Sequence, residues 1–298
     1  MFHEENDGQI TFSNISTDKS NMIVQANALI KSRQDLSLNE KKLICIIISQ
    51  IVADDMEFNP YIVSPSELAE MVGNTDSVNM YHNAQDICDS IMRKHLEIRL
   101  EDGSWKKIQW VSMCEYNSKT RKIQILLNDN LKPYLMGLAQ AGYYAQFAEE
   151  NILPMNSIYS IRLFELINEA IKTRTIPRTG TRVRIDRRDI IDACMMYKRD
   201  CRGKILLDSE TKKPVEKYDK LSMFKKRVIQ TACEEISKLS IYYVPYESDD
   251  PDKCVKFIKK GREVVAFDFY VNLICQEPKP ISKNACLGGG NHFYIHGD

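Results

Sequence analysis

Three observations predict an α+β fold made of two tandem winged-helix domains. The hydrophobic period switches from 3.6 to 2 twice along the chain. Each switch closes the same order of long helix, short strand, short helix, long helix and hairpin, once over about residues 37–128 and again over about 156–272. The length of 298 residues suits two cores better than one. Residue identity between the copies is low, so the repeat is one of pattern, and a single mixed α+β domain is the alternative. The expected boundaries are a flexible N-terminus at 1–20, a first domain at 21–139, a linker at 140–155, a second domain at 156–275 and a flexible tail at 276–298.

In the first unit, Met22–Ile30 is a short apolar segment that can pair as an edge strand or pack as a lid. Ser37-Leu38-Asn39-Glu40 is a capping box. It opens a helix through about Val52, with Leu43, Ile44, Ile47, Ile48 and Ile51 on a broad buried face. Tyr61–Val63 reads as a strand. Ser64-Pro65-Ser66-Glu67 is a second capping box with Pro at the first helical position. It starts a short helix, Pro65–Val72, that stops at Gly73. A third helix runs from about Met80 to Lys94. Then Leu96–Leu100 alternates, Asp102-Gly103 turns, and Lys107–Tyr116 with Arg121–Leu127 forms a hairpin. Leu131–Leu138 closes the unit as a short helix.

In the second unit, Asn156–Ile171 is a strong helix, Val183–Ile185 a short strand, and Asp186 caps a helix reaching about Met196. Tyr197–Asp219 is a polar, lysine-rich insertion expected to be exposed. Ser222–Leu239 is amphipathic: Phe224, Val228, Ala232, Ile236 and Leu239 recur on one face. Its opposite face opens with Lys225, Lys226 and Arg227. Cations there oppose the helix dipole, at roughly 0.3–1 kcal/mol each, so a helix selected for stability alone would not carry them. Ile241–Tyr246, Lys253–Lys259 and Glu263–Val271 read as strands, with Lys260-Gly261 turning the last pair.

The formal net charge is zero, but residues 1–150 carry 14 Lys and Arg against 21 Asp and Glu, while 151–298 carry 27 against 20. A basic half is where polyanion binding is sought. The nine cysteines are scattered, with no CxxC, which fits reduced thiols in the cytoplasm. The N-terminus is polar and acidic rather than a signal peptide. The longest apolar run, Leu43–Ile48, is far short of the roughly 20 residues of a membrane span.

Several segments carry a resemblance. Asn21–Lys31 (NMIVQANALIK) and Leu36–Lys42 (LSLNEKK) are similar to the opening strand and first helix of the Rep_3 (RepB-like) family of plasmid replication initiators. Ser157–Ile167 (SIYSIRLFELI) is the most specific match. Phe224–Val228 (FKKRV) with Glu235-Ile236, then Gly261-Arg262 and Phe267–Phe269, follow in family order. The likeness spans about residues 20–272. Tyr197–Asp219 is longer than the family pattern, and the tail from Gln276 has no counterpart in it. The resemblance implies binding to short direct repeats of double-stranded DNA at a plasmid origin, opening with help from a host initiator and helicase, dimer and monomer forms, and repression of the protein's own promoter by the dimer through the first domain.

The DNA-facing candidates are Lys225, Lys226, Arg227, Gln230 and Thr231 on a recognition helix. Lys and Arg suit phosphates and guanine edges, and Gln suits adenine. Arg187 and Arg188 start the preceding helix. Lys256, Lys259, Lys260 and Arg262 cluster on the wing. Arg93, Lys94 and Lys106-Lys107 are the thinner candidates in the first domain. No Walker A loop, GxGxxG or HExxH is present, so no enzyme activity, cofactor or metal is expected. Asp54-Asp55 and Asp249-Asp250 read as solvated loop pairs. Tyr159 has no histidine cluster beside it and reads as helix packing rather than a nucleophile. Cys286, His292 and His296 fall short of the four compact ligands of zinc. A winged-helix repressor and a nicking replication enzyme are the competing readings.

Overall fold

The computed structural model describes residues 22–52, 55–66, 68, 80–100, 102–138, 142–171, 176–218 and 220–274. The expected terminal segments and the Cys286, His292 and His296 group lie outside them, as does most of Pro65–Val72 with its stop at Gly73; Pro65, Ser66 and Leu68 are helical.

The first domain starts with β1 (Met22–Ala26), α1 (Asn27–Lys31) and β2 (Arg33–Gln34). Both halves of the expected capping box are made: Ser37 N donates to Glu40 at 2.7 Å and Glu40 N to Ser37 Oγ at 3.4 Å. They open α2 (Leu38–Ser49), which stops short of Val52. Next come β3 (Tyr61–Val63), α3 (Met80–Met92), β4 (His95–Arg99), β5 (Trp105–Gln109), β6 (Val111–Asn117) and β7 (Lys122–Leu127). The expected single strand Lys107–Tyr116 is two strands. Trp110 is fully buried between them, so the chain leaves one sheet, β2-β4-β5, and enters another, β3-β7-β6. A short helix, α4 (Lys132–Leu135), follows.

Residues 140–155, expected as a linker, contain instead a strand of the first domain. β8 (Tyr144–Ala148) pairs antiparallel with β1. Ala145 and Phe147 point inward, and Phe147 meets Phe164 edge-on at 5.4 Å. The sequence pattern there alternates, but its partner strand is over 100 residues away.

The second domain comprises α5 (Ile158–Ile171), β9 (Thr181–Asp186), α6 (Arg187–Ala193), a long helix α7 over 221–239, β10 (Tyr242–Tyr243), β11 (Lys256–Lys260) and β12 (Glu263–Leu273). Asp186 occupies the N-cap of α6 without a side-chain capping bond, and α6 ends before Met196 because Met195 turns left-handed at φ 48°. Ile241–Tyr246 is strand only at Tyr242–Tyr243; Pro245 has no N–H to extend a ladder. β12 is the centre of this domain's sheet, flanked by β11 and β9. Phe267 and Phe269 face the core from it. Gly180 (φ 78°) lets the chain turn into β9: a Cβ there would meet the Tyr270 ring at 2.5 Å, and Tyr270 donates to Thr179 O at 2.9 Å.

The order β9-β12-β11 repeats β3-β7-β6. In both, the strand before the helix pair joins the last strand, which lies beside its hairpin partner. Each domain is a winged helix.

The domains meet through buried charge. Glu165 of α5 is fully buried, with Lys41 of α2 at 2.7 Å and Arg162 as its second cation. Burial alone would raise the Glu165 carboxyl; Lys41 and Arg162 outweigh it and hold it below the usual carboxylate value. Arg162 also donates to the carbonyls of Ile30, Ser32 and Ala193. Arg162 thus reaches the first domain through backbone carbonyls, while its acid lies in its own helix. A second knot joins Arg33 to Asp192 (Nε–Oδ1 2.8 Å), with Glu97 at 3.3 Å and Tyr197 beneath the guanidinium.

Candidate nucleic-acid interface

The apolar stripe of α7 buries as its spacing requires: Phe224, Val228, Ala232 and Ile236 are inaccessible, and Leu239 is half-buried. Ile229 and Cys233 are also buried. The helix accommodates these adjacent pairs by widening into a π turn over Lys225–Gln230. Phe224 stacks on Phe267 at 5.7 Å, which fixes the start of α7 against the middle of the sheet.

The basic residues then separate by partner. Lys226 and Arg227 are exposed and make no ion pair or side-chain hydrogen bond among the described residues. Lys225 instead lies over the Phe257 ring of β11 at 3.7 Å, pinning helix to wing. Gln230 donates to Glu234 at 2.8 Å. The Thr231 hydroxyl donates to Lys226 O at 3.2 Å, inside the widened turn. Its side chain is thus spent on the helix.

Arg187 is mostly enclosed. It pairs with Glu216, reaches Glu263 at 3.8 Å and lies over the Phe224 ring. Arg188 is half-exposed, with Nε donating to Asp192 at 3.1 Å and its guanidinium over Tyr197. On the wing, Lys256 pairs with Asp252 at 2.6 Å. Lys259, Lys260 and Arg262 are exposed around Gly261 (φ 63°), again without a pair among the described residues. Because Glu263 follows them and faces Arg187, the wing turn lies near the start of α6, and Lys225 brings α7 beside the same wing. Lys226 and Arg227 on α7, and Lys259, Lys260 and Arg262 on the wing, are thus exposed cations without a partner among the described residues.

In the first domain, Arg93 and Lys94 follow the C-terminal end of α3. Arg93 is exposed; Lys94 reaches Glu40 at 3.5 Å. The entering turn of α3 is where a reading helix makes base contacts, so these two stand at the opposite end. Lys217 was not among the candidates. Its ammonium lies over the Tyr159 and Tyr218 rings and donates to Tyr159 at 3.1 Å. The lysine-rich run before α7 was the available signal. Burial pushes the Tyr159 hydroxyl above its ordinary value, the reverse of an activated nucleophile. Among the described residues, no three His, Cys, Asp or Glu side chains cluster as metal ligands.

Two family models match the chain: Initiator Replication protein, WH1, over residues 22–168, and Initiator Rep protein, WH2, over 207–271. Among solved structures, the Pi initiator protein in complex with iteron DNA is 16% identical, with 87% of this chain and 100% of that chain covered and a TM-score of 0.60. The WH1 domain of MSBI1.176, a replication protein isolated from a multiple sclerosis patient, is 22% identical over 33% of this chain and 79% of that one, with a TM-score of 0.25. No curated protein matches.

Proposed function

Since the chain belongs to the initiator replication protein family and carries both of its winged-helix domains, we propose that it starts plasmid replication by binding repeated double-stranded sites at the origin, with α7 as the main reading head. The observation that carries this is the pair Lys226 and Arg227, exposed in the second turn of α7, a helix that Lys225 joins to the wing strand at Phe257, with Lys259, Lys260 and Arg262 exposed at the wing turn. A helix seated in the major groove by its N-terminal turns, with a wing on the flanking backbone, needs that arrangement. The solved relative bound to iteron DNA supports the same reading.

In this reading the protein is not an enzyme. Strand opening relies on a host initiator or helicase, and the first domain serves protein contacts, self-association and repression of the protein's own promoter. Its acidic balance supports a protein-facing role. Seven described cysteines are free thiols, which supports a cytoplasmic site of action. Among the described residues no helix is long and apolar enough to cross a membrane. The test is titration of the full chain onto duplexes carrying the repeats beside its gene and onto scrambled duplexes. Preference for the repeats, reduced in Arg227→Ala, is expected; equal affinity of the wild-type chain for both duplexes overturns the reading.

A further inference from the structure

The Tyr197–Asp219 insertion separates α6 from the reading helix, where winged helices commonly have a short turn. Its described residues, 197–218, form three short extended segments, each bridged to the other two, rather than a loose loop. Tyr197 bridges Glu216, Arg199 bridges Ile205, and Leu207 bridges Pro214. Lys198 N donates to Val215 O, Leu206 N to Lys198 O and Val215 N to Leu206 O, each at 2.9 Å. An aspartate folds each tip: Asp200 accepts from the amides of Arg202 and Lys204, and Asp208 from Glu210 and Thr211.

We propose that this bridged insertion is a second DNA-contacting element, a clamp for phosphates of the backbone flanking the groove that α7 reads. The proposal rests on the DNA-binding reading above. Its first support is the distribution of charge. Asp200 and Asp208 turn back onto their own tips, and Glu216 pairs with Arg187. Arg202 and Lys204 on one tip, and Lys212 and Lys213 on the other, are exposed and have no side-chain partner among the described residues. Glu210 is the one acid left outward at the tips.

The second support is anchorage. Glu216 holds the last strand to the start of α6. Lys217 and Tyr218 settle on Tyr159, and Tyr218 meets the Phe224 ring edge-on at 6.4 Å, one residue before the Lys225–Arg227 run. On the other side Arg199 pairs with Asp35 of the first domain at 3.0 Å. The tips are therefore presented by a stem fixed next to the reading helix, which limits the ordering cost of binding. Thirdly, Lys212 sits at φ 56°, a left-handed position that glycine would occupy without strain. The chain keeps a cation there.

The test uses the full chain and two double variants, Arg202→Ser/Lys204→Ser and Lys212→Gly/Lys213→Ser. Each is titrated over a salt series on a repeat-bearing duplex and a scrambled one. Each neutralised phosphate contributes about 0.9 to the slope of log affinity against log salt. Each double variant should lower that slope by up to about two units. Both duplexes should weaken by the same factor, because phosphate contacts carry no base preference. Hydroxyl-radical protection should be lost on one flank of the site only. Lys212→Gly relieves a strained residue, so a melting temperature at or above wild type shows that lost binding is not lost folding. Unchanged slopes and an unchanged footprint overturn the proposal and leave the exposed Leu206 and Leu207 as a protein contact instead. Wild type that does not prefer the repeats would sink the DNA-reading role of α7, a separate failure.

Discussion

The two winged-helix domains share a sheet order yet place the same residue types at opposite ends of their third helices. In the first domain Arg93 and Lys94 follow the C-terminal turn of α3, where cations favour the helix dipole, and Lys94 has Glu40 as a partner. In the second, Lys226 and Arg227 stand in the second turn of α7, past the first turn where the dipole acts, and both face solvent. One arrangement stabilises its helix. The other gives its cations no partner within the described chain and leaves both open to solvent. The shared scaffold therefore leaves open cations on the third helix of one domain and a paired lysine on that of the other.

The largest expected effect breaks the junction that couples the two domains. Lys41→Met leaves Glu165 buried with one cation fewer. Removing one partner of a buried pair costs about 3–5 kcal/mol, and the low end is expected because Arg162 remains. Denaturant unfolding measures it; a loss below 1 kcal/mol would mean that the junction is wet and the domains are loosely coupled. Acid acts on the same network. Glu165 is held below its ordinary 4.5, and Asp192 below 3.8, where burial is outweighed by the Tyr197 hydrogen bond and Arg33. Groups with depressed values stabilise the fold fully above those ordinary values and lose that contribution as pH falls through the folded ones. Melting temperature should therefore drop on acidification below about pH 4.5, and less steeply in Lys41→Met.

A smaller effect confines itself to the second domain. Gly180→Ala combines a left-handed backbone with a Cβ inside the Tyr270 ring. Strain and overpacking together should cost about 2–4 kcal/mol. Gly103 and Gly142 are left-handed too, with open space beside them, so alanine there should cost only about 1 kcal/mol. Equal losses at all three would remove the Tyr270 contact from the account.

Which parts were legible in sequence follows from how far apart their causes lie. The Ser37 capping box, the stripe from Phe224 to Ile236 and the turn at Gly261 are local, and they stand as read. β8 was read as a linker because its partner, Met22–Ala26, is distant in sequence. Trp110 divided an expected strand because only the folded core shows where an indole must go. Among the candidate contacts, composition could not separate Lys226 from Lys225, which lies on Phe257, or Arg262 from Arg187, which Glu216 and Phe224 enclose. A cation's freedom depends on its neighbours in space. The π turn had one faint sign, the apolar doublets Val228-Ile229 and Ala232-Cys233.

The finest test sharpens the comparison at single residues. Arg227→Ala removes a side chain able to hold guanine O6 and N7 together, a contact worth roughly 1–3 kcal/mol in discrimination. Preference for the cognate repeat over one with that base changed should fall by this amount, while the melting curve stays put, since Arg227 lies off the buried stripe. Lys226→Ala should weaken cognate and scrambled duplexes alike and lower the salt slope by roughly one unit. Lys94→Ala in the first domain should leave the slope unchanged and cost only the roughly 0–1 kcal/mol of a partly exposed ion pair. Filter-binding or fluorescence titrations at several salt concentrations resolve all three. If Lys94→Ala lowers the slope as much as Lys226→Ala does, both domains grip the duplex, and the contrast between their helices does not divide their labour.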